Sequence, residues 1–141
     1  MSNHRGKCVC GDVSILLRLP ASQDKYTPRQ CDCDFCMIRE IAYVSHPDGE
    51  LEIDSITPLK ILKQGSNQAL FITCDCCKTV IAASVNINNQ TIGSLNIKLL
   101  DDLSLFNQPI IASPKNLEPK EKLERWQSNW GKVKLNSIFI T

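Results

Sequence analysis

A mainly β, antiparallel architecture with one late C-terminal helix is predicted by three observations. Short apolar segments with period-two alternation recur from residue 12 to about residue 99. Turn-forming residues separate them, and the one stretch with convincing helical spacing waits until residues 119–130. A chain of 141 residues folds to roughly 7,300 Å² of surface from about 23,000 Å² when extended, burying about 68%. That is one core and a single domain over residues 1–141.

The clearest strand is at residues 12–19, where Val13, Ile15, Leu17 and Leu19 alternate with Ser14 and Arg18, and Leu16 is the exception on the outer face. Further strands are expected at 41–45, 50–53, 59–63, 69–73, 79–85 and 94–99, the last with Leu95, Ile97 and Leu99 alternating. Pro20, Pro28, Pro47-Asp48-Gly49, Thr57-Pro58, Gly65-Ser66-Asn67, Asn88-Asn89 and Gly93 punctuate them. Residues 110–117, with Pro114, read as an irregular connection. The helix at 119–130 has Pro119 in its first turn, Glu121 and Arg125 at i,i+4, and Gly131 as a C-terminal cap. Leu123, Trp126 and Trp130 share one face, which we assign to packing on the sheet rather than to a ligand platform. Residues 133–141 read as a last short strand. No internal repeat or low-complexity tract is present.

Lys plus Arg number 16 against 15 Asp plus Glu, and the pI is near 7.5. That balance lacks the basic excess of a nucleic-acid or anionic-membrane binder. The longest apolar runs fall short of the 18 or more residues of a membrane helix. Residues 1–10 are polar with no apolar core of a secretion signal, so the expected compartment is the cytoplasm.

Eight cysteines make about 6% of the chain, below the roughly 8–10% of a small disulfide scaffold. In a reducing compartment thiols stay free, so metal binding is the leading explanation. The cysteines form three clusters: Cys8 and Cys10; Cys31, Cys33 and Cys36; Cys74, Cys76 and Cys77. Cys33-Asp34-Phe35-Cys36 and Cys74-Asp75-Cys76-Cys77 each have the spacing at which two sulfurs converge on one ion. Zinc is the expected metal, because four thiolates at about 2.3 Å satisfy its tetrahedral preference. Seven thiolates against two Zn²⁺ ions would shift the formal charge from +1 by three, to −2. Spacing alone pairs the two Cys-x-x-Cys units into one site and leaves Cys8, Cys10 and Cys31 over; nothing local says which clusters meet.

Gly6-Lys7-Cys8-Val9-Cys10-Gly11-Asp12-Val13, Cys31-Asp32-Cys33-Asp34-Phe35-Cys36 and Phe71-Ile72-Thr73-Cys74-Asp75-Cys76-Cys77, in that order and spacing, resemble the glutathione-dependent formaldehyde-activating enzyme family, which includes centromere protein V. The resemblance spans residues 6 to about 85. It implies a β-tent zinc fold in which Cys8, Cys10, Cys74 and Cys77 share a structural zinc, while Cys31, Cys33 and Cys36 hold a second zinc with an open position. That division agrees with zinc chemistry, in which closed sites are structural and three-ligand sites receive water or substrate. The implied activity is that of a carbon–sulfur lyase: the open zinc lowers the pKa of the glutathione thiol, whose thiolate adds to formaldehyde to give S-(hydroxymethyl)glutathione. Glutathione is then the co-substrate, and the partners are a small thiol and a small aldehyde rather than nucleic acid or membrane.

His46, Asp32 and Asp34 are weighed as proton shuttles or extra ligands, but His46 precedes Pro47-Asp48-Gly49 as a turn residue and the aspartates are solvated or accept amide bonds. His4 is expected to be disordered. Arg39, Lys60, Lys63 and Lys78 are cations within reach of glutathione carboxylates, none with a site assignment. The chain departs from the family pattern at three places. Met37 and Ile38 precede Arg39 where a basic residue often follows the third middle cysteine. Lys78 stands where Gly usually follows the last Cys-x-x-Cys, so that turn must tolerate a side chain. Cys76 is an extra thiol, without a role unless it substitutes as a ligand or oxidises. Two further readings compete with the enzyme: a non-catalytic zinc-stapled domain acting in protein contacts, and redox sensing through Cys31, Cys33 or Cys76.

Overall fold

The computed structural model describes residues 2–21, 25–31, 34–63, 69–112 and 118–136. Among these the chain is mainly β, with eleven strands in one mixed sheet and a single late helix of any length. No helix among the described residues is long and apolar enough to cross a membrane.

Strand β1 (Ser2–Lys7) opens the fold and β2 (Val13–Leu19) pairs antiparallel with it, His4 lying opposite Leu17. Alternation in β2 is as the sequence implies: Val13, Ile15, Leu17 and Leu19 are buried, Ser14 is exposed, and Leu16 and Arg18 are half-buried. β1 is absent from the sequence reading because its buried positions are His4 and Gly6, which carry no apolar signal. His4, expected to be disordered, is 8% exposed. Its Nδ1 lies 2.7 Å from Asp102 Oδ2, and its ring sits edge-on to Phe106 at 5.1 Å. Full pairing with β2 and this contact with a residue 98 positions away together hold the segment in place.

β3 (Arg29–Cys31) and the short helix α1 (Asp34–Arg39) follow. Next come β4 (Ala42–Val44), β5 (Glu50–Ser55), β6 (Leu59–Lys63), β7 (Leu70–Cys74), β8 (Val80–Ile87) and β9 (Gln90–Asn96). β8 and β9 are joined by Asn88-Asn89, both at positive φ, 53° and 63°. Two left-handed residues make the turn that matches strand twist in a two-residue hairpin. Residues 97–99, expected in the strand, turn off as a 3-10 helix capped by the Asn96 side chain, which accepts from the Lys98 N–H at 3.1 Å.

The predicted antiparallel arrangement holds for most pairs, with two exceptions. Residues 110–112, expected to be irregular, form β10 (Ile110–Ala112) parallel to β3. β11 (Gly131–Asn136) runs parallel to β5. Its predicted continuation to residue 141 lies outside the described residues. Parallel pairing needs a long crossover, so neither was visible as a local hairpin.

β9 organises the sheet. One edge pairs with β8, and the other meets β11 at Ile92 and Gly93 and then β4 at Leu95 and Asn96. Helix α2 (Pro119–Asn129) begins with Pro119 in its first turn, as expected, and ends with the Trp130 N–H donating to the Trp126 carbonyl at 2.7 Å. Gly131 is not a left-handed cap: it opens β11, where a Cβ would meet the His46 and Gly49 carbonyl oxygens at 2.6 and 2.7 Å. Close backbone approach is the reason for glycine there.

Two apolar clusters form. The larger joins Val13, Ile15, Leu51, Ile53, Leu59, Ile72 and Leu95 with Cys8 and Cys74. The smaller joins Cys36, Ile41, Phe71, Val85 and Trp126, with Leu123 and Trp130 packed against it. Both tryptophans pack on the sheet as expected, and α2 docks on this second cluster.

Candidate metal centre

Two turns build the centre. In the β1–β2 turn, the Gly11 N–H donates to the Cys8 carbonyl at 3.1 Å and Gly11 takes φ 83°, a left-handed conformation that glycine adopts without strain. In the β7–β8 turn, the Cys74 N–H donates to the Thr79 carbonyl at 3.0 Å and the Lys78 N–H to the Cys74 carbonyl at 2.9 Å. Lys78 itself sits at φ 62°, so the position does demand the left-handed region and a side chain is tolerated in it. Its Nζ pairs with Asp75 Oδ1 at 3.1 Å on the surface.

Packing in the larger cluster brings the turns together, and Cys8, Cys10, Cys74 and Cys77 place their sulfurs within 4.8 Å of one another. The Cys8–Cys10 and Cys10–Cys74 Sγ separations are both 3.6 Å. Four bonds of about 2.3 Å to a tetrahedral ion set sulfurs about 3.8 Å apart, so the group is compatible with zinc.

Its electrostatics favour a cation. Burial raises the Cys8 thiol, against backbone N–H groups of Val13 and Gly11 that lower it; the Val13 N–H lies 3.4 Å from the sulfur. Burial pushes Cys74 up to about 12 despite the N–H groups of Cys77 and Cys76. Cys77 is also raised by burial, but the Thr79 hydroxyl 3.0 Å away, the backbone N–H groups of Cys10 and Thr79 and the Cys74 thiol outweigh it, holding Cys77 at about 6. Several partly desolvated sulfurs with N–H groups aimed at them are compensated most directly by a dication.

The middle cluster is only partly in view. Cys33 lies outside the described residues, as do the side chains of Cys31 and Asp34, and Asp32 entirely. Cys36, on α1, is 1% exposed, with its Sγ 3.4 Å from Tyr43 Oη. It lies in the wall of a pocket of about 570 Å³ shared with Tyr43, Phe71, His46, Trp126 and Trp130. The two indoles stack at 4.8 Å, 13° from parallel. Lys25, Arg29 and Arg125 also line this pocket. None of these cations was singled out by sequence as a candidate ligand contact, because each is an ordinary basic residue until the sheet and α2 converge.

The cations considered from sequence are elsewhere. Arg39 and Lys78 line a second cavity of about 540 Å³ behind Cys8, with Lys7 and Lys98; Lys60 and Lys63 are exposed on β6. His46 is a turn residue, as expected: its carbonyl accepts from the Gly49 N–H at 2.8 Å and its Nδ1 from the Asp48 N–H at 3.0 Å.

Fold and site together define a mainly β protein with a four-cysteine centre able to hold a metal. No family model matches the chain, and no curated protein does. It is similar to the crystal structure of a Rhodobacter sphaeroides protein solved as a structural genomics target. The TM-score is 0.56 at 22% identity, covering 77% of this chain and 99% of that one. The likeness is one of fold.

Proposed function

We propose that this chain is a zinc-dependent carbon–sulfur lyase-type enzyme. Cys8, Cys10, Cys74 and Cys77 hold a structural zinc, and the pocket walled by Cys36 receives glutathione or a related thiol together with formaldehyde or another small aldehyde. The observation that carries this reading is the place of Cys36, a member of the Cys31, Cys33 and Cys36 cluster, in a pocket lined by three cations. Lys25, Arg29 and Arg125 suit a thiol that bears carboxylates. Zinc on the three cysteines would supply a thiolate nucleophile at neutral pH. Tyr43 Oη, 3.4 Å from Cys36 Sγ, is positioned to donate a proton to the alkoxide that develops at the aldehyde oxygen. Phe71, Trp126 and Trp130 line the pocket with apolar surface that keeps water from the reacting groups.

A second reading is a non-catalytic zinc-stapled domain acting in protein–protein contacts. It is favoured by the closed geometry of the four-sulfur group, which leaves no coordination position for substrate. Exchange NMR with ¹³C-formaldehyde and glutathione decides between the two. The enzyme reading expects S-(hydroxymethyl)glutathione formation faster than the uncatalysed rate, reduced at least about tenfold in Cys36→Ser and Tyr43→Phe. Protein carrying about two zinc ions per chain but giving no acceleration would leave the staple reading.

A further inference from the structure

We infer that Cys10 and Cys76 form a redox-responsive pair in which a disulfide replaces the metal staple. Cys76 lies outside the four-sulfur group, in the exposed turn after β7. Within the group, Cys8 and Cys74 are buried and Cys77 is half-buried, whereas Cys10 is exposed. Cys10, Cys76 and Asp12 place their sulfur and carboxylate atoms within 4.8 Å of one another. Cys10 thus belongs both to the metal group and to a surface thiol pair, whose sulfurs have to close from within 4.8 Å to an S–S bond of about 2.05 Å.

The oxidant is a hydroperoxide. The Cys76 sulfur takes the terminal oxygen as the O–O bond breaks, leaving a sulfenic acid and one molecule of water or alcohol. The Cys10 thiolate then attacks that sulfur and expels hydroxide, which takes a proton from solvent. Two electrons pass from the two sulfurs to the peroxide. Cys10 no longer serves the metal, three sulfurs remain, and the ion is held more weakly. The new bond closes a loop of about 66 residues between the two turns that the metal had joined, so the domain keeps a staple when the ion departs.

Metal release rests on the zinc reading above; the disulfide does not. The test treats the full zinc-loaded chain with one equivalent of hydrogen peroxide. Released zinc is followed with a chromogenic chelator, and the protein is mapped by trypsin without reduction. The expected product joins peptide 8–18 to peptide 64–78, and fragmentation of the linked peptides, after the remaining thiols are alkylated, places the bond between Cys10 and Cys76. Zinc release should be slowed at least about tenfold in Cys76→Ser, with full reversal by dithiothreitol. A bond located instead through Cys8, Cys74 or Cys77, or zinc release in Cys76→Ser at the unmodified rate, would overturn the pair. A chain that holds no zinc before oxidation defeats the zinc reading alone, and the peptide map still decides the pairing.

Discussion

The sulfurs of Cys10 and Cys74, 64 positions apart in the chain, lie 3.6 Å from each other. Cys10 closes the β1–β2 turn and Cys74 ends β7. An ion held between them ties the start of the chain to the middle of the sheet, and its binding free energy becomes folding free energy.

Metal removal should therefore cost stability directly. With a strong chelator the melting temperature is expected to fall by about 10 °C or more, followed by circular dichroism. Cys77→Ser should cost about as much stability as the chelator does, while Cys33→Ser should stay within about 1 kcal/mol of the parent and lose thiol–aldehyde activity. Equal loss of fold in both variants would contradict a division into structural and open sites.

In the metal-free protein the thiols of one turn should differ sharply. Cys77, held down to about 6, is ionised at pH 7, and Cys74, pushed up to about 12, is not. Iodoacetamide should label Cys77 first, at a rate that rises as pH passes about 6. The linkage has a definite sign. The depressed Cys77 contributes stability that is complete above the ordinary thiol value of 9.0 and is lost as pH falls through about 6. The raised Cys74 contributes stability that is complete below 9.0 and is lost as pH rises through about 12. These two groups place the metal-free optimum near pH 9, readable by denaturant titration under reducing conditions.

Lys78→Gly should stabilise the protein by about 0.5–1 kcal/mol. An L-residue in the left-handed region costs roughly 1–2 kcal/mol. Glycine gives part of that back through greater freedom in the unfolded chain, and the exposed pair with Asp75 is worth only a few tenths. A gain in urea midpoint at unchanged slope is the expected readout; a loss would mean that the Lys78 side chain contributes more than its surface pair.

Asp102→Ala should destabilise by about 1–3 kcal/mol, because it strips a buried imidazole of its partner. Asp101→Ala, one position away on the exposed surface, should stay within about 0.5 kcal/mol. Similar losses in both would point to the turn itself and not to the His4–Asp102 contact.

Much of the fold is local and was legible. Alternation at Val13, Ile15, Leu17 and Leu19 defined β2, residues 59–63 defined β6, and Pro119 marked the start of α2. Each depends on periodicity or on backbone restriction within a few residues. The cysteine spacing likewise pointed to a group of thiols able to hold a metal, and Cys8, Cys10, Cys74 and Cys77 do converge.

What the sequence by itself determined is therefore most of the longer strands, the late helix and the cysteine clusters from which a metal site could be built. The tertiary structure decided the partners: which sulfurs meet, that β11 runs parallel to β5, that His4 is buried against Asp102, and that Lys25, Arg29 and Arg125 surround one pocket with Cys36 in its wall. Periodicity and turn chemistry act over a handful of residues, whereas these contacts arise from packing between elements tens of residues apart, where the chain carries no local mark of what it will touch.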